Sequence, residues 1–226
     1  SNSFVCECEH KYQRRIDAEK TKMKYRKIPD ETIRRLPMYL RAFSLLRTEA
    51  TETISSRQLA LRLGLNSPQI RKDLSYFGAF GTRGVGYPVE ATARRIRQIL
   101  KLNKVQKAVL IGAGRLGTAL VAYPGFSSFN LDIAAVLDND PKKIGKKIGP
   151  IKIENTDRIS TLKKRDIRLA ILAVPAEAAQ KTTENLVKAG IRGILNLSPC
   201  HLKPARPVKI IDIDLASQLG ILPYYM

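Results

Sequence analysis

Apolar residues recur every three or four positions where the regular pattern of the chain begins. Those of PDETIRRLPMYLRAFSLL are Ile33, Leu36, Leu40, Phe43 and Leu46. This spacing places them on one face of a helix. Pro37 lies inside the pattern and brings no N–H to the helix ladder. We therefore expect a short first turn to end there and the main helix to begin.

Two further helices are predicted directly downstream. In SSRQLALRLG, Ser55 and Gln58 have the spacing of a capping box, and Gly64 can end the helix in a left-handed conformation. In LNSPQIRKDLSYFG, Ser67 is the expected N-cap and Pro68 fits the first helical position.

The third predicted helix, which should stop at Gly78, has two chemically different faces. The apolar residues Ile70, Leu74 and Phe77 share one face, given a rotation of about 100° per residue. The polar residues opposite that face or at its edge are Gln69, Arg71, Lys72, Ser75 and Tyr76. Two helices joined by a short glycine-containing turn, the second of which presents such side chains, are typical of a DNA-binding helix-turn-helix. The alternative is an ordinary helical domain with a solvated basic face.

The glycine-rich stretch GAFGTRGVGYPV that follows is typical of a small β-hairpin. Its basic tip, with Arg83 and Gly84, could press its backbone against phosphates or enter a minor groove. The basic segment ATARRIRQILKLNK (91–104) is predicted to be a helix that bridges to the next domain and contains a hinge.

From Lys107 onward, short apolar runs alternate with helical patterns. The predicted strands are KAVLIG, LDIAAVLD, IKIEN, RLAILAVP, IRGILNLSP and VKIIDID, with helical segments such as AAQKTTENLVKAG between them. This alternation predicts a doubly wound parallel sheet of the Rossmann type.

The turn GAGRLG has the form GxGxxG, follows a strand and opens a helix. In this context Gly112 makes the tight turn, Gly114 lets a pyrophosphate approach the backbone, and Gly117 lets helix and strand pack closely. Asp138 closes the next strand, 21 residues past Gly117. Its carboxylate can accept hydrogen bonds from both hydroxyls of an adenine ribose. The sequence therefore predicts a dinucleotide site, although an empty or different nucleotide site remains the alternative.

NAD(H) is the cofactor predicted for this site, because a carboxylate at Asp138 would repel a 2′-phosphate. Lys142 and Lys143, just downstream, weaken that preference. The residues assigned to the turn and the strand end are Gly112, Ala113, Gly114, Arg115, Leu116, Gly117, Asp138 and Asn139. Ligands in this fold lie beyond the carboxyl ends of strands. That rule adds Ala173, Val174, Pro175, Asn196 and Ser198.

Lys and Arg outnumber Asp and Glu by 40 to 20, a formal net charge of +20. This favours a polyanionic partner, either nucleic acid or an acidic membrane surface. No apolar run approaches the roughly 18–20 residues of a membrane helix. The N-terminus lacks the basic segment followed by an apolar segment that is typical of a secretory signal, so we expect a cytosolic protein.

Residues 1–27 are predicted to be a solvated extension. Cys6, Cys8 and His10 could form half of a metal site, but no second pair of ligands lies nearby, so no metal is predicted. An odd total of three cysteines argues against a disulfide framework.

An NAD(H)-dependent oxidoreductase with an accessory basic domain is the alternative function. Such an enzyme needs a proton donor or acceptor beside the nicotinamide, and His201 is the candidate. The sheet domain, however, leaves little chain to bind a second substrate. We therefore expect a regulator and no catalytic residues.

Six motifs together resemble the Rex family of bacterial redox-sensing transcriptional repressors. They are RRLPMYLR, IRKDLSYFGAFGTRGVGY, GAGRLGTAL, LDNDPKKIG, AILAVPAEAAQ and ILNLSP, within residues 28–226. The resemblance implies a winged-helix domain (28–104), an NAD(H)-binding Rossmann domain (105–212) and a C-terminal helix (213–226) that is swapped between the subunits of a homodimer. The dimer is expected to bind an inverted-repeat operator and to leave it when NADH binds.

The resemblance also implies roles for particular residues. Tyr123 would lie near the nicotinamide, and Arg41 would pair with Asp214 of the other subunit in the NADH-bound form. Arg71, Lys72, Ser75 and Tyr76 become recognition-helix contacts, and Arg83 with Gly84 the wing contact. Arg115 departs from the family, which often has Asn there, and this departure could alter the grip on the pyrophosphate.

Overall fold

A computed structural model describes residues 28–226, which divide between Lys101 and Leu102 into two units. The predicted boundary after residue 104 lies three residues further along. The first unit is helical with one small sheet. Its elements are α1 (Asp30–Thr48), β1 (Thr53–Ile54), α2 (Ser56–Leu63), α3 (Ser67–Ser75), β2 (Tyr87–Pro88) and α4 (Val89–Ile99).

Helix α1 runs without a break through Pro37, so the expected division into a short turn and a main helix is wrong. Proline removes one hydrogen bond of the ladder, that to the carbonyl of Ile33. Ile33 lies on the solvent side of α1, with its side chain 43% exposed. Leu36 and Leu40, on either side of the proline, are almost completely buried. Their packing holds the helix together across the missing bond.

The short helix α2 begins and ends as its sequence predicts. The Ser55 hydroxyl accepts a hydrogen bond from the N–H of Gln58, and the Gln58 side chain accepts one from the N–H of Ser55. Gly64 follows the helix with φ of 63°. These two local devices fix both ends of α2 independently of its tertiary contacts.

Helix α3 starts one residue earlier than predicted. Asn66 takes the N-cap position, without a side-chain capping bond, and Ser67 and Pro68 are already helical. The helix ends at Ser75, and Gly78, with φ of 102°, completes the turn beyond it. The polar face is unaffected by this shift, since the register of the helix is the same.

The predicted β-hairpin differs from the observed wing. Strand β2 pairs antiparallel with β1, which precedes α2 in the chain, at Thr53↔Pro88 and Ile54↔Tyr87. Within the glycine-rich stretch, Thr82 and Gly86 form a single antiparallel bridge, with backbone hydrogen bonds of 3.0–3.1 Å in both directions. Tyr87 is buried against the unit's core. The partner strand therefore comes from a distant segment, which local turn chemistry cannot reveal.

Helix α4 begins at Val89 and belongs to the first unit. Val89, Thr92, Ala93 and Ile96 are buried along one face, and the helix packs on α1. The helix predicted over residues 91–104 therefore ends at Ile99, and the hinge predicted in the same segment stays a prediction.

The second unit contains β3 to β9 and α5 to α7. The elements are β3 (Gln106–Ile111), α5 (Arg115–Val121), β4 (Leu131–Asp138), β5 (Lys147–Ile148), β6 (Ile151–Asn155), β7 (Leu169–Leu172), α6 (Ala176–Lys188), β8 (Gly193–Asn196), β9 (Lys209–Asp212) and α7 (Leu215–Gly220). Short 3₁₀ segments cover Ser127–Phe129, Thr156–Thr161 and Leu222–Tyr225. The sheet order is β5-β6-β4-β3-β7-β8-β9.

All pairs of this sheet are parallel except β5 with β6. Alternate residues of the central strands enter two cores, one on each face. Val109 and Leu137 belong to one core, Leu110 and Val136 to the other. The chain moves outward in one direction from β3 to β6 and then in the other from β7 to β9. Ligands in such sheets bind where the direction reverses, at the carboxyl ends of β3 and β7.

The C-terminal segment forms α7 and a 3₁₀ turn with no buried residue. Its large apolar side chains are at least half exposed, and these are Leu215, Leu219, Ile221, Leu222, Tyr224, Tyr225 and Met226. Among residues 28–226, no helix combines the length and apolar character needed to span a bilayer.

Candidate functional sites: a nucleic-acid face and a nucleotide cleft

The outward face of α3 carries the side chains that the helical register predicts. Arg71, Lys72 and Ser75 are exposed, and Gln69 and Tyr76 are half-buried. The Arg71 guanidinium donates to the hydroxyls of Ser56 (3.0 Å) and Ser67 (3.1 Å). These bonds hold Arg71 between the starts of α2 and α3. A cation in that position, on an exposed face, is suited to a phosphate or to a guanine edge.

Sequence reasoning missed the buried acid that supports this face. Asp73 is completely buried and accepts hydrogen bonds from the Thr32 hydroxyl (2.9 Å) and the Tyr39 hydroxyl (2.6 Å) of α1. The Arg35 guanidinium binds both of its oxygens, at 2.6 and 3.0 Å. Asp73 therefore ties α3 to α1. A signal existed in the sequence, because Asp73 falls on the apolar face, between Ile70 and Leu74.

Burial raises the pKa of Asp73, but hydrogen bonds from Arg35, Tyr39, Thr32 and Gln69 outweigh it and leave the pKa below its ordinary value. Burial and the bond to Asp73 raise the pKa of Tyr39. The bond to Asp73 also raises the pKa of Arg35, against the effect of burial. The cluster is thus an ionised carboxylate surrounded by donors.

The wing turn is exposed at its tip and anchored at its base. Arg83 and Gly84 are exposed, and Gly84 has φ of 85°. From α4, the Arg95 guanidinium donates to the carbonyls of Ala79 and Phe77, at 2.6 Å each. It also lies over the Phe80 ring, 4.7 Å from the ring centre. Arg95 therefore fixes the loop between α3 and the wing.

The three glycines of the turn in the second unit have different surroundings. A Cβ on Gly112, which has φ of 97°, would lie 2.3 Å from the carbonyl oxygen of Ala173. A Cβ on Gly117 would lie 2.0 Å from the carbonyl oxygen of Gly112. Beside Gly114, in contrast, no atom lies within 4 Å of such a Cβ. Two glycines thus serve packing, and the third leaves open space where a phosphate can approach the backbone.

Asp138 is buried at the end of β4 and is already bonded on both oxygens. Oδ2 accepts from the N–H of Ala113 (2.7 Å) and from Lys143 Nζ (3.1 Å), and Oδ1 accepts from the N–H of Asp140 (2.8 Å). Burial raises the pKa of Asp138, but these donors hold it below its ordinary value. The N–H of Ala113 is therefore engaged by Asp138, and Ala113 is not among the residues lining the cavity described below, so its cofactor role stays a prediction.

A cavity of about 1120 Å³ opens beside this turn. The predicted residues that line it are Gly112, Gly114, Arg115, Leu116, Gly117, Asp138, Asn139, Ala173, Val174 and Pro175. Its other walls are the 3₁₀ segment at Thr156–Thr161 and helix α6, with Lys143, Lys163, Lys181 and Lys188 among the lining residues. A volume of this size and a basic lining suit a dinucleotide. The residues present fit the predicted cofactor.

Tyr123, Asn196 and Ser198 are not among the residues lining this cavity. Tyr123 is 54% exposed and packs edge-on against Phe126. The Asn196 amide is buried and donates to the Cys200 carbonyl and to Asp212, while its oxygen accepts from the N–H of Ser198. The Asn196 side chain thus shapes the loop after β8. The cofactor roles of these three residues stay predictions.

The remaining candidate residues are those of a metal site, the proton donor and the proposed intersubunit pair. Within the described residues there is no group of three or more potential His, Cys, Asp or Glu metal ligands, and Cys6, Cys8 and His10 lie outside that range. His201 is exposed and faces Asp212 at 3.5 Å. Arg41 is exposed on α1, and Asp214 is the N-cap of α7, where its carboxylate accepts from the N–H groups of Ala216 and Ser217.

Comparison with known proteins agrees with this division into two sites. A family described as "Putative DNA-binding protein N-terminus" matches residues 27–75, and a family described as "CoA binding domain" matches residues 103–200. The redox-sensing transcriptional repressor Rex of Brevibacillus brevis is 43% identical over 204 residues, which are 90% of this chain and 99% of that protein. Rex of Streptomyces coelicolor is 40% identical over 88% of this chain and 78% of its own.

Solved structures give the same result. RSP in complex with β-NAD⁺ and operator DNA has a TM-score of 0.83 at 34% identity, covering 88% of this chain and 92% of its own. RSP in complex with β-NADH has a TM-score of 0.79 at 32% identity, covering 88% and 94%. RSP is described as a Rex-family repressor. The predicted fold class is confirmed by these matches. On identity and coverage alike, this chain belongs to the Rex family of redox-sensing transcriptional repressors.

Proposed function

We propose that this chain is a redox-sensing transcriptional repressor that binds operator DNA through α3 and the wing turn and releases it when NADH fills the cleft beside Gly114. The observation that carries the proposal is the presence in one chain of an exposed face of DNA-binding type and an open glycine turn beside a basic cavity. The relatives are named repressors, which confirms the prediction of a regulator over an oxidoreductase.

The DNA side of the proposal rests on helix exposure and charge. Arg71 and Lys72 supply cations, and Ser75 a hydroxyl, to a groove or its phosphates. Residues at the start of such a helix contact base edges. Arg83 and Gly84 at the wing tip are suited to the backbone or a minor groove. Binding should fall steeply with salt, since Lys and Arg displace counterions from DNA.

The cofactor side rests on the cleft. Gly114 admits the pyrophosphate, Arg115 lies on the lining where an anionic phosphate would need a cation, and Asp138 holds the turn through Ala113. The carboxylate at the end of β4 favours NAD over NADP, because it would repel a 2′-phosphate. Lys143 forms an ion pair with that carboxylate and partly neutralises it. The preference for NAD over NADP is therefore tested by comparing the affinities of the chain for the two cofactors. Location in the cytosol, with the operator, is part of the same proposal.

The switch requires that NADH bind the form released from DNA better than the DNA-bound form. A coupling of about 1–3 kcal/mol changes operator affinity roughly 5- to 150-fold. The test is a titration of operator binding at fixed total dinucleotide while the reduced fraction varies. Release should follow the reduced fraction, and operator DNA should weaken NADH binding by the same factor. Operator affinity that is insensitive to the reduced fraction would refute the proposal.

The homodimer, the inverted-repeat operator and the pairing of Arg41 with Asp214 belong to the same proposal. The exposed apolar side chains of residues 213–226 support association, because that much apolar surface is unusual on a monomer. The pairing is tested with Asp214→Asn, which keeps a capping side chain on α7 and removes the charge. Operator binding should be retained and release by NADH blunted. Full release would count against the pairing.

A further inference from the structure

The orientation of one amide on the DNA-binding face is determined by a neighbouring carboxylate. Gln69 Nε2 donates to Asp73 Oδ1 at 2.8 Å. Asp73 is completely buried and accepts further bonds from Arg35, Tyr39 and Thr32. A carboxylate in such a set of donors is ionised and only accepts hydrogen bonds. The flipped amide would direct its oxygen at this carboxylate, so the amide group of Gln69 has a single favourable orientation.

That orientation leaves Oε1 as the group of Gln69 that a ligand can use. Oε1 accepts no hydrogen bond from any residue of the described chain. Gln69 is the third residue of α3, and it is half-buried. The first turn of a recognition helix is where side chains reach base edges. In the major groove only two groups donate hydrogen bonds, the N6 amine of adenine and the N4 amine of cytosine.

We infer that Gln69 is a specificity-determining residue that reads the exocyclic amine of an adenine or a cytosine through Oε1, with Asp73 as its positioning residue. This deepens the proposed function and rests on it. Guanine and thymine offer Gln69 only acceptors at the groove edge, which would need the Nε2 group that Asp73 engages. The same glutamine without Asp73 could turn either end of its amide to the groove.

The test is an operator scan with bases that lack the amine. Each adenine of a half-site is replaced in turn by 2′-deoxynebularine and each cytosine by the corresponding 2-pyrimidinone, and Kd is measured for the unaltered chain and for Gln69→Ala. At one position the missing amine should weaken binding of the unaltered chain about 3- to 10-fold, the effect of one neutral hydrogen bond. The same replacement should leave binding of Gln69→Ala unchanged.

Two other results would overturn the inference. One is an amine deletion that weakens both proteins equally at every position. The other is a dependence on Gln69 that appears only at guanines modified at O6 or N7. Both results leave the proposed function intact so long as the unaltered chain binds the operator and NADH releases it. If NADH does not release the unaltered chain from the operator, that result counts against the proposed function and not against the role of Gln69.

The role of Asp73 is tested separately with Asp73→Asn, whose side chain can donate as well as accept. It should reduce the discrimination between amine-bearing and amine-free operators at the position that Gln69 reads. A merely structural role would weaken binding to both operators by the same factor, and that outcome would overturn the positioning role. Should Asp73→Asn fail to fold by circular dichroism, Asp73→Glu, which keeps the charge and displaces the acceptor of Gln69 Nε2, is compared on the same two operators, with the same expected loss of discrimination and the same refuting outcome.

Discussion

Asp73→Ala removes the acceptor that joins α3 to α1. The Thr32 and Tyr39 hydroxyls are buried and lose their partner, and the Arg35 guanidinium, whose side chain is 26% exposed, loses a bidentate carboxylate. Breaking a buried ion pair by removing one partner costs about 3–5 kcal/mol. Because solvent reaches Arg35, we expect the lower end, about 3 kcal/mol. Domains of this size have free energies of unfolding of roughly 5–15 kcal/mol. The substitution should therefore remove a large fraction of the free energy of unfolding of the first unit.

Hydrogen exchange read by mass spectrometry separates the two units of the same molecule. A loss of about 3 kcal/mol speeds exchange from α1 and α3 about 100-fold, since each 1.4 kcal/mol is about tenfold. Peptides from residues 102–226 serve as the internal control. The matched variant is Glu49→Ala, which removes another bidentate arginine partner, that of Arg62, where both side chains are about half exposed.

Glu49→Ala should leave exchange almost unchanged, because exposed ion pairs contribute little. Equal effects of Asp73→Ala and Glu49→Ala would show that burial of the Asp73 cluster does not stabilise the unit. Operator binding of Asp73→Ala should also weaken, because the recognition helix loses its attachment to α1.

Three further predictions concern the glycine turn, the wing and acid stability. Gly117→Ala should destabilise the second unit in thermal unfolding, because the added Cβ would lie 2.0 Å from the Gly112 carbonyl oxygen. Gly114→Ala should unfold like the unaltered chain but bind NADH more weakly in calorimetry. Arg95→Ala should weaken operator binding in a gel shift, since the loop before the wing loses two hydrogen bonds, and an unchanged shift would refute that role. The pKa of Asp138 lies below its ordinary value of 3.8, so the ionised carboxylate stabilises the fold fully above pH 3.8. A pH series of unfolding should show this contribution lost as the pH falls through the lowered pKa, and unchanged between about pH 5 and 8.

Where sequence and structure agree, the decisive interactions are local. The capping box of Ser55 and Gln58 closes within four residues, and Gly64 ends α2 through its own backbone freedom. The alternation of Val109 and Leu110 between two cores follows from the period of a strand. Gly112 and Gly117 each have a stereochemical reason, since a Cβ on either would lie too close to a backbone carbonyl oxygen, whereas no atom crowds Gly114.

Where they differ, the decisive partner is distant in the chain. Helix α1 continues through Pro37 because packing offsets the lost bond, and β2 pairs with β1, more than 30 residues earlier. The bonds from the Asn196 amide to Asp212 and Cys200 likewise join residues that no local pattern relates, and its predicted cofactor role stays untested. Propensity and turn rules describe neighbours in sequence and do not rank such long-range contacts.

The sequence by itself determined the α/β division, the exposed polar face of α3, the glycine turn and the family, since periodicity, caps and motif spacing are written in consecutive residues. Only the tertiary structure decided that Asp73 is a buried acceptor for Arg35 and Gln69, and that Asp138, predicted to bond a ribose, also accepts a hydrogen bond from the N–H of Ala113 in the glycine turn. The physical reason is that the ionisation and bonding of a carboxylate depend on which donors folding brings to it, and those donors lie up to 41 residues away in the chain.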